Sequence, residues 1–156
     1  MKLIDRTFVA LDNMDYDQVF KFLDQYSDKI KMVKVGMELY YRYGNEILES
    51  IAENYKHTIF LDLKLHDIPN TVASAIGALS ELEADYLTVH AGGGRAMLEA
   101  AQAVAGATRL LAVTVLTSMD ADELSSVGVD SPPLDQVHRL AQTAASAGIH
   151  GLVCSA

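Results

Sequence analysis

Apolar residues recur along this chain in two alternating rhythms. Period-two runs begin near Phe8, Met32, Ile59, Tyr86 and Leu110, at intervals of 24, 27, 27 and 24 residues, and each reads as a β-strand. Between them, Tyr16–Tyr26, Asn45–Tyr55, Thr71–Leu82 and Arg95–Ala105 repeat apolar residues three and four apart, the spacing of one helix face. Alternating strands and helices predict a parallel sheet with helical crossovers. A sixth strand, Gly151–Cys154, starts 41 residues after Leu110. The added length is a polar stretch, Ser118–Pro133, read as a loop with a short helix, followed by a helix over Leu134–Ala147 that Gly148 stops. No linker or low-complexity tract interrupts the pattern, so residues 1–156 are expected to form one domain.

Strand parity separates the apolar from the polar positions. Val9 and Leu11 oppose Ala10 and Asp12; Val33 and Val35 oppose Lys34; Leu61 and Leu63 oppose Asp62 and Lys64. In the later strands Leu87 and Val89 oppose Thr88 and His90, and Val113 and Val115 oppose Ala112 and Thr114. One face of each strand suits a helix layer. The other carries its polar residues late, at the C-terminal end, where parallel α/β proteins build their sites in a barrel or a doubly wound sheet.

Composition narrows the function classes. Half the residues are hydrophobic in a chain of 156, enough for one sizeable core. With 12 basic against 21 acidic residues the net charge is −9, which argues against nucleic-acid or anionic-membrane partners. No apolar run approaches the ~20 residues of a membrane span, and the start, Met-Lys-Leu-Ile-Asp-Arg, lacks a signal peptide's apolar core, so the chain reads as cytoplasmic. The single cysteine, Cys154, permits no intrachain disulfide and is expected as a small core residue in the last strand.

The candidate chemistry concentrates in Thr58–Thr71. Its first half is an amphipathic strand; its second half adds Asp67 and ends in Pro69-Asn70, a strand-to-helix loop. Parity brings Asp12, Lys34, Asp62 and Lys64 to one face, and burying them unpaired would cost several kcal/mol per ion. They compensate one another or bind something. In alternating lysines and carboxylates each charge favours the ionised form of its neighbours, and an ammonium beside a carbon losing carbon dioxide can stabilise the carbanion and protonate it. That chemistry needs no cofactor. His90 is read as a satisfied histidine supporting the cluster, since no second ligand lies at metal spacing. Gly92–Gly94 is read as a tight turn, though such a run could also cradle phosphate. His66 is assigned no chemistry.

The pattern D-x-K-x-x-D-I-P-x-T over Asp62–Thr71, with Lys-Val-Gly-Met-Glu at Lys34–Glu38, resembles the signature of orotidine 5'-phosphate decarboxylases, and the likeness runs from Thr7 to the end. The resemblance implies a TIM (β/α)8 barrel family fold, with this chain covering about the first six β/α units, and decarboxylation of orotidine 5'-monophosphate to uridine 5'-monophosphate without cofactor or metal. It implies Lys64 as proton donor to C6 of the pyrimidine and Asp62 beside the departing carboxylate. Lys34 would bond within the network and to the ribose, and Asp12 would hold a ribose hydroxyl. Asp67, Ile68 and Thr71 would enter the site of the other subunit of a homodimer. Ser118, in Leu-Thr-Ser, would bond the pyrimidine's amide edge; read without the resemblance it is a loop cap.

Such a barrel usually needs ~200 residues or more, so strands seven and eight, with the glutamine and arginine of the phosphate clamp, are expected to be missing here. Loss of that clamp would reduce turnover as well as affinity. Two rival readings are a magnesium-dependent sugar-phosphate decarboxylase or aldolase of the same barrel group, and an inactive fragment that persists by association. The Lys-Val-Gly-Met-Glu block, the Asp-Ile-Pro-Asn-Thr ending and Leu-Thr-Ser argue against the first.

Overall fold

The computed structural model describes residues 3–79, 81–82 and 84–155. Six strands, β1 (Val9–Ala10), β2 (Met32–Gly36), β3 (Thr58–Leu65), β4 (Tyr86–His90), β5 (Arg109–Val113) and β6 (Gly151–Val153), form one sheet in chain order. A doubly wound sheet reverses its strand order at a switch point. This order does not reverse, which separates the two architectures that parity alone left open.

The helices are α1 (Tyr16–Tyr26), α2 (Met37–Tyr43), α3 (Asn45–Asn54), α4 (Pro69–Leu79), α5 (Gly94–Val104), α6 (Ala121–Ser126) and α7 (Pro133–Ser146). Five of them lie within two or three residues of the periodicity-based spans, and α6 is the short helix expected in the polar stretch. Ser80, inside the span expected to run to Leu82, lies outside the described residues. Helix α2 was not anticipated. Its sequence, MELYYRY, has three tyrosines and no clear helical stripe, and Gly44 at φ +61° separates it from α3. Among the described residues no helix is long and apolar enough to cross a membrane.

The chain divides into two compact units, residues 1–63 with 79–87, and residues 64–78 with 88–156. In the first, β1, β2 and β3 pair in parallel with Ala10 opposite Lys34 and Gly36 opposite Asp62. Their aliphatic parity set is buried as expected: Leu11, Val33, Val35, Ile59 and Leu61 join Val19, Leu23, Leu39, Ile47, Leu48 and Ile51 from the helices. Helix α1 starts where it does because Asp15 accepts from the Gln18 amide while the Gln18 side chain accepts from the Asp15 amide, a reciprocal cap. On the opposite strand face Phe8, Phe60 and Tyr86 meet edge to face, with centroids 5.2, 5.5 and 6.4 Å apart. Each such pair contributes about 0.5–1.5 kcal/mol beyond area burial. The polar face therefore has an apolar floor at its N-terminal end.

In the second unit β5 and β6 pair in parallel, with Leu111 opposite Gly151, and Thr114 extends the pairing by donating both its amide and its hydroxyl to the Val153 carbonyl, each at 3.0 Å. Val72, Ile76, Val89, Met97, Leu98, Ala101, Leu110 and Ala144 form its core. Thr88 and Thr114, members of the polar parity set, are buried too, so that face is interior in β4 and β5 rather than solvated. Cys154 corrects an expectation: it is exposed, lying just past β6 rather than in a core.

Candidate active site

Three of the expected residues meet in the first unit. Asp12 follows the last residues of β1, where Asn13 takes a left-handed φ of +59° and turns the chain away; asparagine is one of the few residues that adopts this readily. Lys34 stands in the middle of β2 and Asp62 just past the middle of β3, on the same parity as Asp12. The Lys34 ammonium donates to both Asp12 oxygens, at 2.8 and 3.1 Å, and lies 3.7 Å from Asp62 Oδ2. The Lys34 and Asp62 side chains are only 20% and 14% exposed, and Asp12 is 43% exposed. One ammonium thus serves two carboxylates, and the array opens to solvent on the Asp12 side.

Gly36 makes this arrangement possible, and sequence reasoning did not single it out. A Cβ built there would stand 2.5 Å from Asp12 Oδ1 and 3.4 Å from Lys34 Nζ. Its φ of −87° is ordinary, so the glycine is required by space and not by backbone conformation.

Lys64 belongs to the second unit, two residues beyond Asp62 on the same strand. Its φ is +52°, a left-handed value that costs a non-glycine residue about 1–3 kcal/mol. Its amide donates to Thr88 Oγ1 at 2.8 Å. Thr88 was visible beforehand only as a polar break in an apolar strand. Asp67 is exposed, and its carboxylate accepts from the Ile68 amide at 2.7 Å, which shapes the loop before Pro69 opens α4. Ile68, 66% exposed, and Thr71 both lie on the surface, as does Ser118 in the loop after β5. The geometry thus assembles Asp12, Lys34 and Asp62 into one ionic array and presents Asp67, Ile68 and Thr71 outward.

The His66 and His90 rings lie 5.3 Å apart. The glycine run is a packed turn: Ala91–Gly93 forms a 3-10 segment, and a Cβ on Gly93 would overlap the Met97 side chain and stand 3.3 Å from His66. Among the described residues no group of three or more His, Cys, Asp or Glu is placed to hold a metal ion.

Comparison with known proteins gives concordant matches. A sequence model described as "Orotidine 5'-phosphate decarboxylase / HUMPS family" matches residues 5–156. The chain is similar to orotidine 5'-phosphate decarboxylases of Sphingopyxis alaskensis, 49% identical over 95% of this chain and 66% of that protein, and of Thermobifida fusca, 46% identical over 94% and 63%. It therefore spans just under two thirds of the length of these curated relatives. Among solved structures, that of orotidine 5'-phosphate decarboxylase from Lactobacillus acidophilus matches with a TM-score of 0.87 and 39% identity, covering 96% of this chain and 70% of that one. The six β/α units thus carry the expected α/β fold of that barrel family.

Proposed function

Because the chain belongs to the orotidine 5'-phosphate decarboxylase / HUMPS family, we propose that it carries the catalytic strands of an enzyme converting orotidine 5'-monophosphate to uridine 5'-monophosphate, the last step of de novo UMP synthesis. The observation that carries this reading is the Asp12–Lys34–Asp62 array, with Lys64 two residues beyond Asp62 in the chain.

In the proposed reaction the C6–carboxylate bond breaks, carbon dioxide leaves, and the electron pair remains at C6. Lys64 stabilises that charge and transfers its ammonium proton to C6, after which water restores the proton to the lysine. Asp62 lies beside the departing carboxylate. Lys34 holds Asp62 and Asp12 in register and reaches the ribose, and Asp12 binds a ribose hydroxyl. Ser118 bonds the amide edge of the pyrimidine. No cofactor takes part: fixed charges that need no reorganisation during the reaction supply the stabilisation.

The reading includes a homodimer in which Asp67, Ile68 and Thr71 enter the site of the second copy. The exposure of all three supports it, above all that of Ile68, an apolar side chain with 66% of its surface uncovered.

The test is the loss of orotidine 5'-monophosphate absorbance on adding the purified 156-residue chain, with Lys64→Ala as the blank. Turnover above the blank by ~10²-fold or more is expected for loss of a proton donor. Equal, measurable rates for the two proteins refute the assignment; if neither turns over, the same pair is compared after adding a C-terminal segment that supplies strands seven and eight. Activity abolished by a chelator points instead to the magnesium-dependent chemistry of the rival reading.

A further inference from the structure

Alternate residues of a β-strand send their backbone amides to opposite neighbours. At the start of β3 the parity is explicit: the Ile59 amide donates to Asp85 Oδ2 at 2.8 Å and the Ile59 carbonyl accepts from the Asp85 amide at 3.0 Å, so the odd-numbered residues face the β4 side. The even-numbered Lys64 breaks this rule. Its amide turns to the β4 residue Thr88, at 2.8 Å, and its φ of +52° marks the same break. A strand residue turned this way no longer projects its side chain as its parity prescribes. Such departures next to active sites re-aim a side chain.

The acceptor is unusual. A regular strand would offer a carbonyl; here the partner is the hydroxyl of a fully buried threonine. A part-buried amide that lost this acceptor would have to find another, and the simplest way is for Lys64 to fall back to an extended φ. We propose that Thr88 is a positioning residue: its hydroxyl holds Lys64 in the left-handed backbone and thereby sets the direction of the lysine side chain. This rests on the reading of Lys64 as proton donor for its functional consequence, though not for its structural half.

The test pairs Thr88→Val, which keeps the shape and removes the acceptor, with Thr88→Ser, which keeps the acceptor. Two readouts are taken on the full chain. The first is the amide-to-Hα coupling of Lys64 by NMR, which distinguishes a left-handed from an extended φ. It is expected to move to the extended-strand value in Thr88→Val and to stay near wild type in Thr88→Ser. The second is turnover of orotidine 5'-monophosphate: kcat is expected to fall about 10- to 100-fold in Thr88→Val with KM changed by less than about threefold, and to recover in Thr88→Ser.

An unchanged coupling in a folded Thr88→Val overturns the proposal, and so does a changed coupling with unchanged kcat. If Thr88→Val does not fold, hydrogen exchange on the wild type decides: an unprotected Lys64 amide overturns the proposal, and a protected one supports it. If the wild-type chain shows no turnover, kcat is compared in a version extended by strands seven and eight, where absence of turnover defeats the decarboxylase reading, while the coupling still decides whether Thr88 holds Lys64.

Discussion

Gly36→Ala poses the sharpest question about the ionic array. Alanine suits the backbone at φ −87°, and a glycine-to-alanine change at a compatible position stabilises by about 0.4–1 kcal/mol through the unfolded chain. Here the new methyl would stand 2.5 Å from Asp12 Oδ1. A carbon and an oxygen need roughly 0.7 Å more than that, so the carboxylate has to swing away from Lys34, which now holds it at 2.8 and 3.1 Å. Overpacking of this kind costs about 1–3 kcal/mol, and with the gain subtracted the variant is expected to be destabilised by roughly 0–2.5 kcal/mol. In an Asp12→Ala background the obstructing carboxylate is gone, and the closest remaining atom is Lys34 Nζ at 3.4 Å, ordinary contact. There the same substitution is expected to stabilise by about 0.4–1 kcal/mol. Urea unfolding of the four proteins measures the cycle. A coupling energy near zero, or a Gly36→Ala that stabilises equally in both backgrounds, refutes the idea that Gly36 exists to seat Asp12.

Three further outcomes follow from local features. At φ +52°, Lys64→Gly is expected to be more stable than Lys64→Ala by about 1 kcal/mol, read by denaturant midpoint, because only glycine occupies that region without cost. His57, whose Nε2 is buried without a partner and whose ring stacks on Tyr55, has its pKa lowered from the usual 6.5 by desolvation. Its neutral form is favoured in the fold, so stability is full above pH 6.5 and declines as pH falls below it; thermal melts of His57→Phe are expected to lose that part of the acid sensitivity. Burial and then the hydrogen bond to Asp24 push Tyr55 from 10.0 up to about 12. That contribution is intact below pH 10.0 and is lost as pH rises towards 12, and alkaline melts of Tyr55→Phe are expected to show a correspondingly flatter decline.

The features legible in sequence are those that repeat. Alternation at Phe60–Leu65 covers most of β3, and helical spacing at Tyr16–Tyr26 spans the whole of α1, whose observed bounds coincide with the expected ones. Parity put Asp12, Lys34, Asp62 and Lys64 on one face; the structure joins the first three, whereas the left-handed backbone at Lys64 takes it out of the strand's alternation. The missed features depend on tertiary distance or on a single dihedral. Gly36 matters because of an oxygen 24 positions earlier in the chain, and nothing in Asp-Leu-Lys-Leu announces a left-handed lysine. Cys154 was misjudged because hydrophobic character does not say whether anything packs over the end of β6. Helix α2 escaped notice because tyrosines suit strands as readily as helices.

The aromatic floor formed by Phe8, Phe60 and Tyr86 sets a different demand on its strand positions from the ionic array beyond it. At Phe60 the requirement is volume, and other bulky apolar side chains can meet it with modest loss. Two residues later, on the same strand face, Asp62 must supply a charge at a fixed point beside Lys34. On this strand face the physical requirement changes from bulk to charge within a single turn of the pleat.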